Sequence, residues 1–361
     1  MKRTVIIALL ILAASCSTNN TPFTLADPFV DGCVLAKDKP IPVFGTGGGF
    51  VGVKLCDDSG CVCRSRTKAQ DGRWDAVLPA TGAGGPYVLK VTSGFRTLSV
   101  RDVYVGRVIL LGGQSNLQFK LKDSNTPPSE WKSDSLLREY TLPRLEEGEP
   151  YSPADGWIRC TGENAGDWSA IGYLTGAELR KATGEAVSVI NCYQGASVIE
   201  AWLPEDVALK PEYSVPDDKR QGDFLCEYYW TWNKPGTLYR EALGKIVPYA
   251  VSDVVWYQGE SNTGEGEVAI YQDLFGELLK SWRGAFNDPT LPFVVVQLAD
   301  HDTRGNEHWH RLQDIQAGLS DVYEGVTCVP CKDVCESNDI HPKSKAVLSR
   351  RIAEAILLTG E

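Results

Sequence analysis

The sequence predicts an α/β protein, a parallel sheet flanked by helices, preceded by a small N-terminal β-sandwich domain. Three observations carry this. Residues 26–102 hold short apolar runs divided by Gly, Pro and Asp, with no helical period. From residue 103 onward, short continuous apolar runs alternate with longer amphipathic ones, the order of strands joined by crossover helices. The chain has 361 residues, 43% hydrophobic and 23% charged, enough for a sizeable core in one large or two modest domains.

Taken in order, residues 1–16 read as a lipoprotein signal peptide. Lys2 and Arg3 precede an apolar run from Val5 to Ala14 that is too short to span a bilayer, and Cys16 follows small residues. Cleavage there leaves Cys16 as a lipidated N-terminus, so an exported protein is expected, periplasmic or at the cell surface, touching membrane only through that anchor. No Asp follows Cys16, which permits outer-membrane sorting. Residues 17–25 are small and polar and read as a tether. In the 26–102 β domain the strand candidates are 41–46, 50–56, 74–79 and 86–91.

In the remainder, 103–361, the strand candidates are 103–111, 186–191, 253–258, 292–298 and 325–330. Helical patterns occupy 174–182, 238–247, 268–282, 308–319 and about 343–358, the last with Val347, Ile352, Ala355 and Ile356 on one face. Stretches 120–167 and 203–236 have no clear period, and such insertions often shape a substrate cleft.

Charge and cysteine content narrow the function. A net charge of −11 repels phosphate backbones and argues against nucleic-acid binding. Setting Cys16 aside leaves ten of the 11 cysteines, which in an oxidising compartment suggest disulfides of undetermined connectivity. Cys328, Cys331 and Cys335 lack a matching second pair, so no metal is expected.

Ligands of open parallel sheets bind where strands end and helices begin. The strand 103–111 runs into Gly-Gly-Gln-Ser-Asn (112–116), which places Ser115 after a sharp glycine turn at a helix start, a nucleophile candidate that alone is weak. If histidine activates it, the base is one of four: His301, His308, His310 or His341. His341 follows the last strand, with Asp339 two residues before it. The turns around Gly195 and at 256–262 offer glycine and side-chain amides at strand ends, the material of an oxyanion hole.

Four blocks in order, Gly113–Asn116, Gly195 with Ile199–Trp202, Trp256–Asn262 and Asp339–Lys343, resemble the sialate O-acetylesterase family of the SGNH hydrolase superfamily. The resemblance extends over about 27–358 and implies a flavodoxin-like SGNH-hydrolase catalytic domain with no cofactor, acting on an O-acetylated carbohydrate such as a sialoside or acetylxylan. It implies Ser115 as nucleophile and His341 as base. It further implies backbone amides of Ser115 and Gly195 in the oxyanion hole, with a side-chain amide from Gln258 or, second, Asn262. The orienting acid is less fixed: the position three before the histidine is Asn338, so Asp339 is the first choice, with Asp333, Glu336 or a backbone carbonyl as alternatives. Gln114, Asn116, Glu260 and Arg311 are the candidate sugar contacts. Gln194 and Ala196 depart from the aromatic and second glycine that the family often carries beside Gly195. A non-catalytic glycan-binding lipoprotein is the competing reading.

Overall fold

The computed structural model describes residues 21–146, 155–220 and 230–359. The signal peptide, Cys16, Cys226 and the first part of the tether lie outside them.

The first half of the fold consists of β1 (Thr24–Leu25), β2 (Val34–Ala36), β3 (Ile41–Thr46), β4 (Phe50–Asp57), β5 (Gly60–Lys68), β6 (Arg73–Leu78), β7 (Gly84–Ser93) and the start of β8 (Arg96–Gly113). Strands β1, β3 and β6 make a small antiparallel sheet, and β5, β4, β7 and β8 pair antiparallel in sequence of contact. Inward residues alternate: Val51, Val53 and Leu55 on β4, and Trp74, Ala76 and Leu78 on β6, are buried, and β6 packs against β4 and β5. Thr24 and Leu25 belong to this sheet, so the chain is already strand before the expected tether ends. Strand β5 escaped the sequence pattern because its residues are polar on both faces.

The expected boundary at 102/103 falls inside β8. Asp102 adopts φ of +56°, β7 stays paired as far as Val105, and from Tyr104 onward the strand takes up parallel neighbours. The β domain and the α/β region therefore share one strand rather than a linker. Arg138 reinforces the joint: its guanidinium donates to the carbonyls of Gly32 and Asp102, both at 2.7 Å, and pairs with the Asp102 carboxylate at 2.9 Å.

Beyond β8 come α1 (Ser115–Gln118), β9 (Asp134–Thr141), β10 (Trp157–Cys160), α2 (Ala170–Thr183), β11 (Val187–Tyr193), α3 (Glu205–Ala208) and α4 (Thr237–Glu241). The chain continues through β12 (Asp253–Tyr257), α5 (Glu265–Ala285), β13 (Phe293–Val296), α6 (Glu307–Val322), β14 (Val326–Val329) and α7 (Ala346–Leu358). Strand order is β10-β9-β11-β8-β12-β13-β14, all parallel except the edge strand β10. Five of the strands were legible as apolar runs, and β11, β12 and β13 are buried almost throughout, as a sheet covered on both faces requires. β9 and β10 were not seen, because Arg138 and Glu139 interrupt β9 although both are buried.

Two helices differ from expectation. The 238–247 pattern is broken into the short α4 and a 3-10 turn at Leu243–Lys245. On α7 the buried face is Leu348, Ile352, Ala355 and Ile356, while Val347 is exposed: the core stripe begins one residue later. The chain leaves central β8 toward β9 on one side and later reaches β12 on the other. The C-terminal end of β8 is thus the switch point where an open α/β sheet forms its crevice.

Candidate active site

The site starts from the glycines that end β8. A Cβ on Gly112 would press into the Trp282 ring, and one on Gly113, which has φ of +138°, would overlap the Tyr257 carbonyl oxygen. Only glycine lets the backbone pass so close to β12. The Gln114 N–H then donates to the Tyr257 carbonyl at 3.0 Å, and Ser115 opens α1. That helix is a single turn of four residues, so the macrodipole it directs at Ser115 is small. What remains there are backbone N–H groups without helical acceptors.

His341 comes from the loop between β14 and α7, and β14 lies three strands from β8. The loop must run back across the sheet edge, and Asn116 anchors it. The Asn116 Nδ2 group donates to the Ile340 carbonyl at 3.0 Å and to Glu260 Oε1 at 2.6 Å, while its Oδ1 accepts from Lys345 Nζ at 2.7 Å. One side chain next to the nucleophile thus holds both flanks of the histidine. The Asn125 N–H to the Lys343 carbonyl, at 3.1 Å, adds a second tie. The His341 ring stacks on Phe119 with centroids 6.2 Å apart and planes 22° from parallel.

Ser115 and His341 face the same cavity, of about 800 Å³, whose walls include Phe119, Glu139, Arg144, Asp167 and Tyr193. None of the other three histidines lines it. His301 accepts from the Arg304 N–H at 3.1 Å, His310 meets Gln313 Oε1 at 3.0 Å, and His308 lies 3.7 Å from Glu307. No hydrogen bond joins Ser115 to His341 in the free protein, an interaction that commonly tightens only with substrate bound. Gly195 stands across from the nucleophile: a Cβ built on it would lie 3.7 Å from Ser115 Cβ.

A family model described as carbohydrate esterase, sialic acid-specific acetylesterase, matches residues 105–358, most of the chain. The chain belongs to this family. The human sialate O-acetylesterase is 25% identical over 86% of this chain, and the chain spans 65% of that relative's length. The mouse sialate O-acetylesterase is 23% identical, covering 96% of this chain and 75% of the relative. A carbohydrate acetylesterase from Xanthomonas citri has the same fold with a TM-score of 0.79 and 31% identity, covering 94% of this chain and 76% of that one.

Within this fold, most of the motif residues build rather than line the site. Gln258 is fully buried, and its Nε2 donates to the Ser197 carbonyl at 2.9 Å and to Asn262 Oδ1 at 2.7 Å, which leaves no hydrogen for an oxyanion. Asn262 is also held from both sides: Oδ1 accepts from the Ile199 N–H at 3.0 Å, and Nδ2 donates one hydrogen to Glu200 at 3.0 Å. The third sequence block therefore clamps the second and fixes the Gly195 loop, and neither amide reaches the cavity. Gln114, Asn116 and Glu260 are buried away from the cavity, and Arg311 is exposed on α6, so none of the four expected sugar contacts touches it. Glu260 is instead a buried carboxyl, its pKa raised by burial against the Asn116 donor and the Lys345 charge. Ala196 adopts φ of +55°, which explains why a second glycine suits this position.

The orienting acids also sort themselves. Asp333 forms a bidentate pair with Arg351 at 2.7 Å for both contacts, which holds its pKa at about 2. Glu336 accepts from Ser344 N–H and Oγ. Asp339 is the carboxylate beside the histidine, but its Oδ1 accepts the backbone N–H of His341 at 2.9 Å rather than a ring hydrogen.

Sequence reasoning marked 120–167 as cleft-forming without naming Glu139, Arg144 or Asp167, and it overlooked Gln118, Phe119 and Tyr193. A usable signal existed for Glu139, which with Arg138 makes a charged pair between Leu136–Leu137 and Tyr140. Burial lifts the Glu139 carboxyl to about 7, against the pull of the Asn191 amide at 2.8 Å.

The electrostatics of His341 give a pH prediction. Burial and then the nearby Lys345 charge lower its pKa below the ordinary 6.5, with Asp339 opposing. A lowered pKa keeps the ring neutral, and so able to accept a proton, further into the acid range. The kcat/KM of ester hydrolysis should be level above neutral pH and fall as pH drops through a value below 6.5. In the Lys345→Met variant that inflection should move up, read from the same profile.

Proposed function

We propose that the protein is a carbohydrate O-acetylesterase acting by a serine–histidine mechanism. The observation that carries this is the convergence of Ser115 and His341, more than two hundred residues apart in sequence, on one cavity opposite Gly195. Ser115 Oγ attacks the acetyl carbonyl while His341 takes its proton. The carbonyl oxygen becomes an oxyanion facing the backbone N–H groups of Ser115 and Gly195. Collapse breaks the bond to the sugar oxygen, which leaves with the proton from His341, and an acetyl-serine remains. Water, deprotonated by His341, then attacks that ester and releases acetate. Asp339 supports the base by fixing its backbone and by its charge.

The names of the relatives, sialate O-acetylesterase and carbohydrate acetylesterase, support an acetylated carbohydrate as substrate, and an O-acetylated sialoside and acetylxylan are the two candidates to test. The test is acetate release from an O-acetylated sialoside and from acetylxylan by the wild type and by Ser115→Ala. Release from either that is lost in the variant supports the esterase. Binding without release would return the protein to the non-catalytic glycan-binding reading.

We further propose that the protein is exported and anchored through lipid on Cys16, a reading supported by Lys2 and Arg3 and the short apolar run before that cysteine. The nine described cysteines are free thiols, but Cys56 and Cys61 oppose each other across the β4–β5 hairpin, and Cys331 and Cys335 stand one turn apart, the Cys335 N–H donating to the Cys331 carbonyl at 3.0 Å. These two pairs are the ones expected to close as disulfides on export, where an oxidised carrier disulfide takes up the two hydrogens of each pair. Peptide mapping of exported protein under non-reducing conditions reads both pairs and the mass of the mature N-terminus.

A further inference from the structure

The outer face of the β domain carries a charge pattern that the fold does not need. In a chain of net charge −11, strands β5, β4 and β7 turn Arg64, Arg66, Lys68, Lys54 and Lys90 outward, all exposed. The register sets Arg64 and Lys90 directly opposite Lys54 on its two sides, so three cations stand in a row across three strands. Like charges opposed across a ladder are destabilising. None of the five side chains forms an ion pair or hydrogen bond among the described residues. The positions beside them on this face, Phe50, Gly52, Thr92, Thr97 and Ser99, are uncharged. Cations on an edge strand protect against aggregation, but Lys54 and Lys90 lie on inner strands and protect no edge.

A hydrophobic rim adjoins the row. Phe50 is 57% exposed, with the Arg66 guanidinium 4.6 Å over its ring, and Phe95 is fully exposed at the β7–β8 turn. Both line one concavity with Arg66, Arg96 and Thr21. Thr21 is the first described residue and follows Cys16 by five positions, so the chain holds the lipid expected on Cys16 within about 18 Å of Thr21.

We propose that this face docks on an anionic lipid surface, with Phe50 and Phe95 entering the headgroup layer and the five cations meeting headgroup phosphates. The proposal rests on the export and anchoring reading above for its occupant. Charge complementarity calls for an anionic partner, and aromatic rings beside long cationic side chains suit the boundary between headgroups and acyl chains. The anchor keeps the protein at the membrane, and this face sets the way it lies there.

The test needs no lipid on the protein. The chain from residue 17 keeps every described residue and is floated with vesicles of phosphatidylcholine, alone or mixed with phosphatidylglycerol. Binding is expected on the anionic vesicles and should weaken as salt rises. The triple variant Lys54→Gln, Arg64→Gln, Lys90→Gln should bind about 100-fold more weakly, roughly fivefold for each cation. Phe95→Ser should weaken binding several-fold with the salt dependence kept. Neither variant should melt below wild type, because the triple variant relieves repulsion and Phe95 is exposed. Equal binding to both vesicle types, or no binding to either, overturns the assignment. Binding to soluble polygalacturonate but not to vesicles also overturns it and gives the face to an acidic glycan. A mature N-terminus found by mass to carry no lipid would instead sink the anchoring reading, so the two failures are distinguishable.

Discussion

His341→Ala is expected to lower kcat/KM for acetyl ester hydrolysis by about 10²–10⁴, the usual contribution of a positioned acid–base group. The expectation is specific to this histidine. His301, His308 and His310 do not line the cavity of Ser115, and their substitution should leave the rate within a fewfold. The fold should tolerate the change, because the ring is partly exposed and its loop is held by Asn116 and Asn125 rather than by the imidazole. Asp339→Asn should cost much less, on the order of tenfold, because the acid holds the backbone of His341 and an asparagine oxygen can still accept that N–H. A larger loss in Asp339→Asn than in His341→Ala would show that the carboxylate engages the ring during turnover.

Asn116→Leu is expected to damage both stability and rate. It removes the donor 2.6 Å from buried Glu260 and the acceptor 2.7 Å from buried Lys345. Lys345 keeps the ring faces of Phe119 at 5.3 Å and Tyr257 at 5.9 Å, but no equivalent oxygen replaces Asn116. Breaking one partner out of a buried charged network costs about 3–5 kcal/mol. In a protein of this size that is a fall in Tm on the order of 10 °C. The His341 loop also loses its tie to the nucleophile turn through Ile340, so kcat should drop about 10²-fold even where the variant remains folded, a misplacement effect. Thermal melts and kcat at low temperature measure the two separately. A variant that melts within about 1 kcal/mol of wild type would contradict the role given to this network.

How far the sequence reached depends on what each residue does for the fold. The parallel strands were legible because a sheet covered on both faces demands unbroken apolar runs, and the helices α2, α5 and α6 because their amphipathic period is long. β9 was hidden by Arg138 and Glu139, charges that become affordable inside only through partners far away in sequence, such as Gly32 and Asn191. The boundary at 102/103 was placed where the texture changes, but a strand can change partners without ending, as β8 does between Tyr104 and Arg107. In the site, Ser115, Gly195 and His341 converge as the motif blocks implied. The blocks could not say which members face the cavity. Gln258, Asn262, Asn116 and Glu260 carry amides and carboxylates that read as substrate chemistry, yet their hydrogen bonds are all internal, a fact set by pairing across more than fifty residues. Gln118 and Tyr193, which do line it, are the last residues of α1 and β11, where no local pattern records which way a side chain turns.

The most direct test of the central claim is to quench the enzyme during turnover of an acetyl ester and map the peptide containing Ser115 by mass spectrometry. The account expects one added acetyl group on Ser115 in the wild type, accumulating in His341→Ala to the extent that deacylation is the slower step, and none in Ser115→Ala. Acetate release with no acetyl on Ser115, or with the acetyl on another residue, would contradict it.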